Sequence, residues 1–226
     1  MSVFEKRVFL GSTCSFALSW ADVVQALNDI TREHSNALGL GTDYHLERDL
    51  AWVVTRYHLV LHRPLHAGEV VLTTEPYSFK RMMGYRVYTL MQNGQVALEG
   101  RVQYMLINIK TKAAVLPTPF MIERFDAKYS DHRTLPFPKL KAAEHTKVKK
   151  RKAEIKKSDI DANGHVNNAA YFRYFEDVFA LDQPCELSVT YKEEVFLGDH
   201  ITVLKQGHQS VSIEKEGRVV FQCFKA

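Results

Sequence analysis

The sequence predicts an α+β fold made by duplication, each half carrying one strand, one long helix and then only antiparallel strands. Three observations lead there. Apolar residues recur at helical spacing once in each half and follow strand-like patterns elsewhere. Four of the seven prolines, Pro117, Pro119, Pro136 and Pro138, fall within 22 residues and mark an irregular connection. The pairs Gly68-Glu69 and Gly198-Asp199 stand at the same point between strands, 130 positions apart.

In the first half, Val3 to Leu10 reads as a strand. Ser19 can cap a helix whose apolar positions Val23, Leu27 and Ile30 keep helical spacing until Gly39 and Gly41 stop it. A loop from Leu38 to Asp49 follows, then strands Ala51 to Leu61, Glu69 to Tyr77, Met83 to Met91 and Val96 to Ile109, with Asn93-Gly94 as a tight hairpin.

The second half repeats this order. Lys149 to Ile155 reads as an edge strand, and Asn167 can cap a helix that buries Tyr171, Phe172, Phe175 and Phe179. Strands Leu187 to Val195, His200 to Gly207, Ser210 to Lys215 and Val219 to Phe224 complete it, with Glu216-Gly217 as the matching hairpin. The two helix caps are 148 apart against 130 for the glycine turns, so the first half has 18 more residues to place in a longer helix and its loop. The boundary is placed near residue 140, inside a proline-containing linker of about 111–146, giving units 1–140 and 147–226.

Composition narrows the function classes. With 46% hydrophobic and 25% charged residues the chain can bury a core, which excludes wholesale disorder. No apolar run reaches the roughly 18 to 20 residues of a membrane span, and Glu5, Lys6 and Arg7 stand where a secretory signal would be apolar. A cytoplasmic protein without membrane insertion is expected. Cys14, Cys185 and Cys223 are too few and too scattered for a disulfide framework or a metal site and read as small buried thiols. The net charge of +4 gathers between Lys139 and Lys157, a tract suited to an acidic partner or to a solvated strand edge. No nucleic-acid motif accompanies it.

One run stands out: Ser158-Asp159-Ile160-Asp161-Ala162-Asn163-Gly164-His165-Val166-Asn167-Asn168, followed by Tyr171. It resembles the signature of the acyl-acyl carrier protein thioesterases, whose plant plastid members carry a similar S-D-x-D-x-N-x-H-V-N-N run. Tyr191-Lys192-Glu193-Glu194 is similar to the Y-R-R-E segment of that family. The resemblance implies a tandem hot-dog fold, each half a long helix wrapped by an antiparallel sheet, and hydrolysis of acyl-acyl carrier protein to free fatty acid in fatty acid biosynthesis. It matches Asp161, Asn163, His165 and Glu194 to the family's catalytic residues. It also implies acyl carrier protein as partner, with a homodimer left open. The plant family has a cysteine directly after the glutamate; this chain has Val195.

The residue types suit that chemistry. Thioester hydrolysis needs an activated water or a nucleophile, a route for its proton and donors for the oxyanion. Asp161, Asn163 and His165 alternate just ahead of a helix, so an extended approach projects them to one side, and unpaired N–H groups at the helix start could receive the carbonyl oxygen. Glu194 comes in from the next strand. In one assignment Glu194 and His165 activate water, Asn163 orients the imidazole or polarises the carbonyl, and Asp161 holds the arrangement. In another Asp161 is nucleophile or base, since Asp161-Ala162-Asn163-Gly164 also resembles the D-x-x-G motif of single hot-dog acyl-CoA thioesterases. Acyl-CoA hydrolysis and a non-catalytic acyl-binding module are the alternative functions.

Other signals are weaker. His62, His66 and Glu69 imitate a metal-ligand spacing, but Pro64 forbids the helix that would align them, and no nucleotide-binding glycine run appears. No metal or cofactor is expected. Met82, Met83, Tyr85, Tyr88 and Tyr104 could line an acyl tunnel or simply fill a strand's core face. Carried back by the two offsets, the four site residues land on Thr13, Ser15, Ala17 and Pro64, so the first half is expected to bind the acyl chain without a catalytic set of its own.

Overall fold

Ten strands form one continuous antiparallel sheet in this computed structural model, which describes residues 3–11, 18–127, 135–138, 148–161, 163–176 and 178–225. The strands of the N-terminal half are β1 (Phe4–Leu10), β2 (Leu50–Leu61), β3 (Gly68–Lys80), β4 (Met83–Gln92) and β5 (Gln95–Asn108). Those of the C-terminal half are β6 (Val148–Glu154), β7 (Cys185–Tyr191), β8 (His200–Gln206), β9 (Ser210–Lys215) and β10 (Arg218–Lys225). The order across the sheet is β1-β3-β4-β5-β2-β7-β10-β9-β8-β6. Read outward from the central pair β2 and β7, both halves follow the same strand sequence, so the duplication is a property of the topology. At the centre β2 and β7 pair from Arg56 with Thr190 to Leu61 with Cys185. The last residues of these strands, Leu61 and Tyr191, are again 130 apart.

Helix α1 (Trp20–Ala37) lies on the N-terminal sheet. Ser19 and Asp22 form a capping box, with the Asp22 N–H donating to Ser19 Oγ at 3.3 Å and the Ser19 N–H donating to Asp22 Oδ2 at 2.9 Å. Val23, Val24, Leu27, Ile30 and His34 bury the face the spacing predicts. The helix stops in a Schellman turn at Gly39, whose φ of 70° favours glycine, with Leu40 N–H donating to Ser35 O at 2.8 Å. This turn drops Leu40 into a small cluster with Phe79, Leu106, Met121 and Phe125.

Three elements differ from expectation. The predicted loop after α1 contains a short helix, α2 (Thr42–Leu46). The proline-rich connection contains another, α3 (Pro119–Phe125), because Thr118 caps it through the Met121 N–H and Pro119 occupies its first turn, where a missing N–H costs nothing. The long second helix is not formed. Only α4 (Ala170–Arg173) is helical, and turns follow it with i to i−3 bonds such as Phe175 N–H to Phe172 O at 3.2 Å. Tyr171, Phe172, Tyr174, Phe175 and Phe179 are buried while Arg173 and Glu176 are exposed, so the segment keeps a buried and a solvent face although its bonding past Arg173 is that of turns.

The main core runs through both halves. Tyr57 of β2, Tyr171, Tyr191 and Phe221 of β10 meet in edge and stacked ring contacts 5.0 to 6.3 Å apart. Strand β6 is an edge strand with the exposed sequence Val148-Lys149-Lys150-Arg151-Lys152, a charged edge that discourages pairing with other chains. The rest of the basic tract, 139–147, lies outside the described residues, as do Thr13, Cys14, Ser15 and Ala17. Cys185 and Cys223 are buried free thiols, and burial raises the pKa of both. Among the described residues no helix is long and apolar enough to cross a membrane.

Candidate active site

The segment from Asp159 to Asn168 is a pinned loop. The Asp159 carboxylate, 4% exposed, accepts from Tyr174 Oη at 2.7 Å and from the Lys156 N–H at 2.9 Å, with Arg173 Nη1 at 3.3 Å. Its carbonyl accepts from the Asn167 N–H at 2.7 Å. Inside this anchor Ile160 bridges Val166, and Asp161 to Gly164 make a tight turn closed by Gly164 N–H donating to Asp161 O at 3.0 Å. Gly164 has φ 82°, which favours glycine there. Asp161 Oδ1 accepts from the N–H of Asn163 at 2.8 Å and of His165 at 3.4 Å, so the carboxylate organises the turn.

The expected extended approach is thus a turn. The expected oxyanion donors at the helix start are also engaged: Asn167 Oδ1 accepts from the Ala169 N–H at 2.8 Å, and Asn167 O from the Ala170 N–H at 2.9 Å. Asn167 is expected to cap this helix, but the cap position of α4 is Ala169, without a side-chain cap bond, and Asn167 instead makes a turn ahead of it.

Glu194 belongs to a loop, because β7 ends at Tyr191 and not at Val195. That loop docks on the first: Val166 N–H donates to Val195 O at 2.8 Å, and His165 bridges Phe196. The His165 ring stands edge-on to Phe196, centroids 4.8 Å apart, with Nδ1 3.5 Å from Glu194 Oε1. Glu194 also faces Lys112, whose Nζ lies 3.4 Å from Oε1 and 3.2 Å from Oε2. Lys112 comes from the N-terminal half, from a turn after β5 in which the Asn108 side chain accepts the N–H of Lys110 and Thr111.

A cavity of about 390 Å³ opens beside this loop. Asp161, Asn163, Asn167 and Asn168 wall one part of it, and the rest comes from the N-terminal half. Gln25, Asn28 and Thr31 of α1 form one side; Trp52, Phe79, Gly84 and Phe125 form its apolar part. Asn167 Nδ2 donates to Gln25 Oε1 at 3.3 Å, tying the loop to α1. His165 and Glu194 are outside the cavity wall, so the four predicted residues divide into a cavity-facing pair and an outer pair. Of the tunnel candidates, Tyr85 and Tyr104 line the cavity. Tyr88 is buried behind it, its hydroxyl 2.7 Å from Thr31 Oγ1 and 3.0 Å from Tyr104 Oη, and Met82 and Met83 are elsewhere. Lys112, Gln25 and Asn28 carry no sequence signal of their own, since their meaning depends on contacts between halves.

The position matching Glu194 in the first half, three residues past the end of β2, is the exposed Pro64. Nearby His62 pairs with Glu99 at 2.7 Å.

The acyl-ACP thioesterase N-terminal domain profile matches residues 13–119, and the C-terminal domain profile of the same family matches residues 142–222. The chain belongs to the acyl-ACP thioesterase family. It is a thioester hydrolase acting on acyl-ACP. Solved structures agree on the tandem hot-dog fold. A protein assigned as an oleoyl thioesterase from Lactobacillus plantarum superposes with TM-score 0.84 at 19% identity, covering 99% of this chain and 95% of that one. An acyl-ACP thioesterase from Bacteroides thetaiotaomicron gives 0.77 at 19% identity, covering 99% and 98%. The 12:0-ACP thioesterase from Umbellularia californica gives 0.79 at 18%, covering 99% and 96%. No curated protein sequence matches the chain significantly.

Proposed function

We propose that the N-terminal half of this acyl-ACP thioesterase holds the acyl chain while the C-terminal half cuts the thioester, releasing a free fatty acid for fatty acid biosynthesis. The observation that carries this reading is the cavity wall: Asp161 and Asn163 stand at one part of a cavity built otherwise mainly from α1 and the N-terminal sheet. An acyl chain lying against Trp52, Phe79 and Phe125 brings its thioester to those two residues.

Asp161 is then the carboxylate nearest the reacting carbon. It takes a proton from water as the water oxygen attacks the carbonyl, and the Asn163 amide donates to the developing oxyanion. The tetrahedral intermediate collapses with cleavage of the carbon–sulfur bond. The thiolate departs outward, toward the quarter-exposed His165, which supplies its proton. Glu194 faces the imidazole, and Lys112 faces Glu194, so the pair is oriented from across the junction between halves.

A single turnover in ¹⁸O-labelled water tests the role of Asp161. General-base catalysis places the label in the fatty acid in the first turnover. An unlabelled first product would make Asp161 the nucleophile, its own oxygen having been transferred.

A further inference from the structure

Arg86, on β4, is 4% exposed and lines the cavity. Among the described residues no carboxylate lies within ion-pair distance of it. The other buried ion, Asp159, has Arg173 and the Tyr174 hydroxyl for partners. Arg86 Nη1 donates to His34 Nδ1 at 2.9 Å and to Thr74 Oγ1 at 3.2 Å. Neither offers negative charge: Thr74 is neutral, and burial together with Arg86 lowers the His34 pKa to about 4. The groups that act on it electrostatically are the Tyr88 and Tyr104 phenols, and the Phe125 ring lies 6.0 Å from the guanidinium carbon. A second donor in the same wall is idle: Trp52 Nε1 is buried with no hydrogen-bond partner.

A buried guanidinium without a counter-ion is costly, and a methyl-ended acyl chain packed against it leaves it so. A carboxylate is the acyl-chain oxygen function that both neutralises the charge and accepts paired N–H donors. We propose that the cavity takes acyl chains carrying a carboxylate at the end distant from the thioester, anchored by Arg86 with Trp52 as auxiliary donor. This rests on the reading that the acyl chain occupies this cavity. The reaction is unchanged: water cleaves the carbon–sulfur bond, giving the thiol and a dicarboxylic acid.

Arg86 is fixed, so one chain length fits. Asn167 meets α1 at Gln25 and Arg86 meets it at His34, nine positions on, which is about 13 Å of helix rise. Shorter chains leave Arg86 unpaired, and longer ones must fold back.

The test is kcat/KM of the wild-type protein on acyl-ACP pairs matched in length, one ending in methyl and one in carboxylate, over a ladder of lengths. The expected result is a preference of about tenfold or more for the carboxylate-ended chain at one length, the scale of a charge-assisted hydrogen bond. Arg86→Met should abolish that preference while methyl-ended substrates are still cleaved, and Arg86→Lys should keep part of it. A wild type that prefers the methyl-ended chain at every length overturns the proposal, whether or not the variants fold. Gly84→Val separates the two levels. If it shifts length preference and no carboxylate preference exists, only the Arg86 anchor is wrong; if it leaves length preference unchanged, the chain does not lie in this cavity.

Discussion

Lys112 of the N-terminal half stands 3.2 Å from Glu194 of the C-terminal half, and Glu194 in turn stands 3.5 Å from His165. The outer part of the proposed site therefore draws on both halves. Lys112 and Glu194 are partly exposed, at 56% and 35%, so the pair adds little to stability and its effect falls on orientation. Lys112→Met is expected to lower kcat by about tenfold with little change in KM or melting temperature, while Lys112→Arg restores most of the rate. Steady-state kinetics beside thermal melting checks this; a drop in melting temperature that tracked the loss of rate would make Lys112 a structural residue.

Electrostatic steering gives a second expectation. Lys149, Lys150 and Lys152 lie exposed on β6, while Arg151 is engaged with the Tyr174 carbonyl at 2.7 Å. An acidic carrier protein would be drawn to this basic edge, so kcat/KM on acyl-ACP should fall steeply with added salt as the field is screened beyond about 10 Å at 0.1 M. Replacing the three lysines by glutamine should lower kcat/KM and flatten that dependence with kcat unchanged. A flat salt response in the wild type removes β6 from the encounter.

Acid stability follows from the buried histidines. Burial and Arg86 hold the His34 pKa at about 4 against 6.5 for the free side chain, so the unfolded chain binds the proton more readily. This contribution is complete above pH 6.5 and is lost as pH falls toward 4; it amounts to at most about 3 kcal/mol. Burial lowers the pKa of His45 and His58 too, so they add to the same trend. Melting temperature measured from pH 7 down to pH 4 should decline, and His34→Asn, whose amide can still accept from Arg86, should decline less. A wild-type melting temperature constant over that range contradicts this.

Much of the fold is written locally. Ser19 and Asp22 announce the start of α1, Gly39 its end, and Asn93-Gly94 a hairpin, because each of these acts through its own backbone neighbours. The segment after Asn167 buries its aromatics as the spacing predicts, but the regular helix ends at Arg173, next to Tyr174, which is anchored through its hydroxyl on Asp159, a contact 15 residues back that helical spacing does not show. Thr118-Pro119 was readable as a helix start but was hidden among linker prolines. At the proposed site, the motif run points to Asp161, Asn163 and His165 by residue type. That Asp161 and Asn163 face the cavity while His165 turns to Glu194 depends on how the two loops dock, and the partner Lys112 lies 82 residues from Glu194.

The apolar part of the cavity offers a means to separate binding from chemistry. A side chain at Gly84 would press on the Trp52 ring at 3.2 Å and on Phe79 at 3.3 Å, narrowing the apolar part of the cavity. Asp161→Asn keeps the acceptor that closes the turn with Asn163 and removes only the base. The most direct measurement is therefore kcat and kcat/KM for the wild type, Gly84→Val and Asp161→Asn on one ladder of acyl-ACP chain lengths. Gly84→Val should lose activity on the longest chains and keep kcat on the shortest, whereas Asp161→Asn should lose on the order of a hundredfold or more in kcat at every length. Uniform loss in Gly84→Val, or a nearly intact rate in Asp161→Asn, would contradict the division between a chain-holding half and a cutting half.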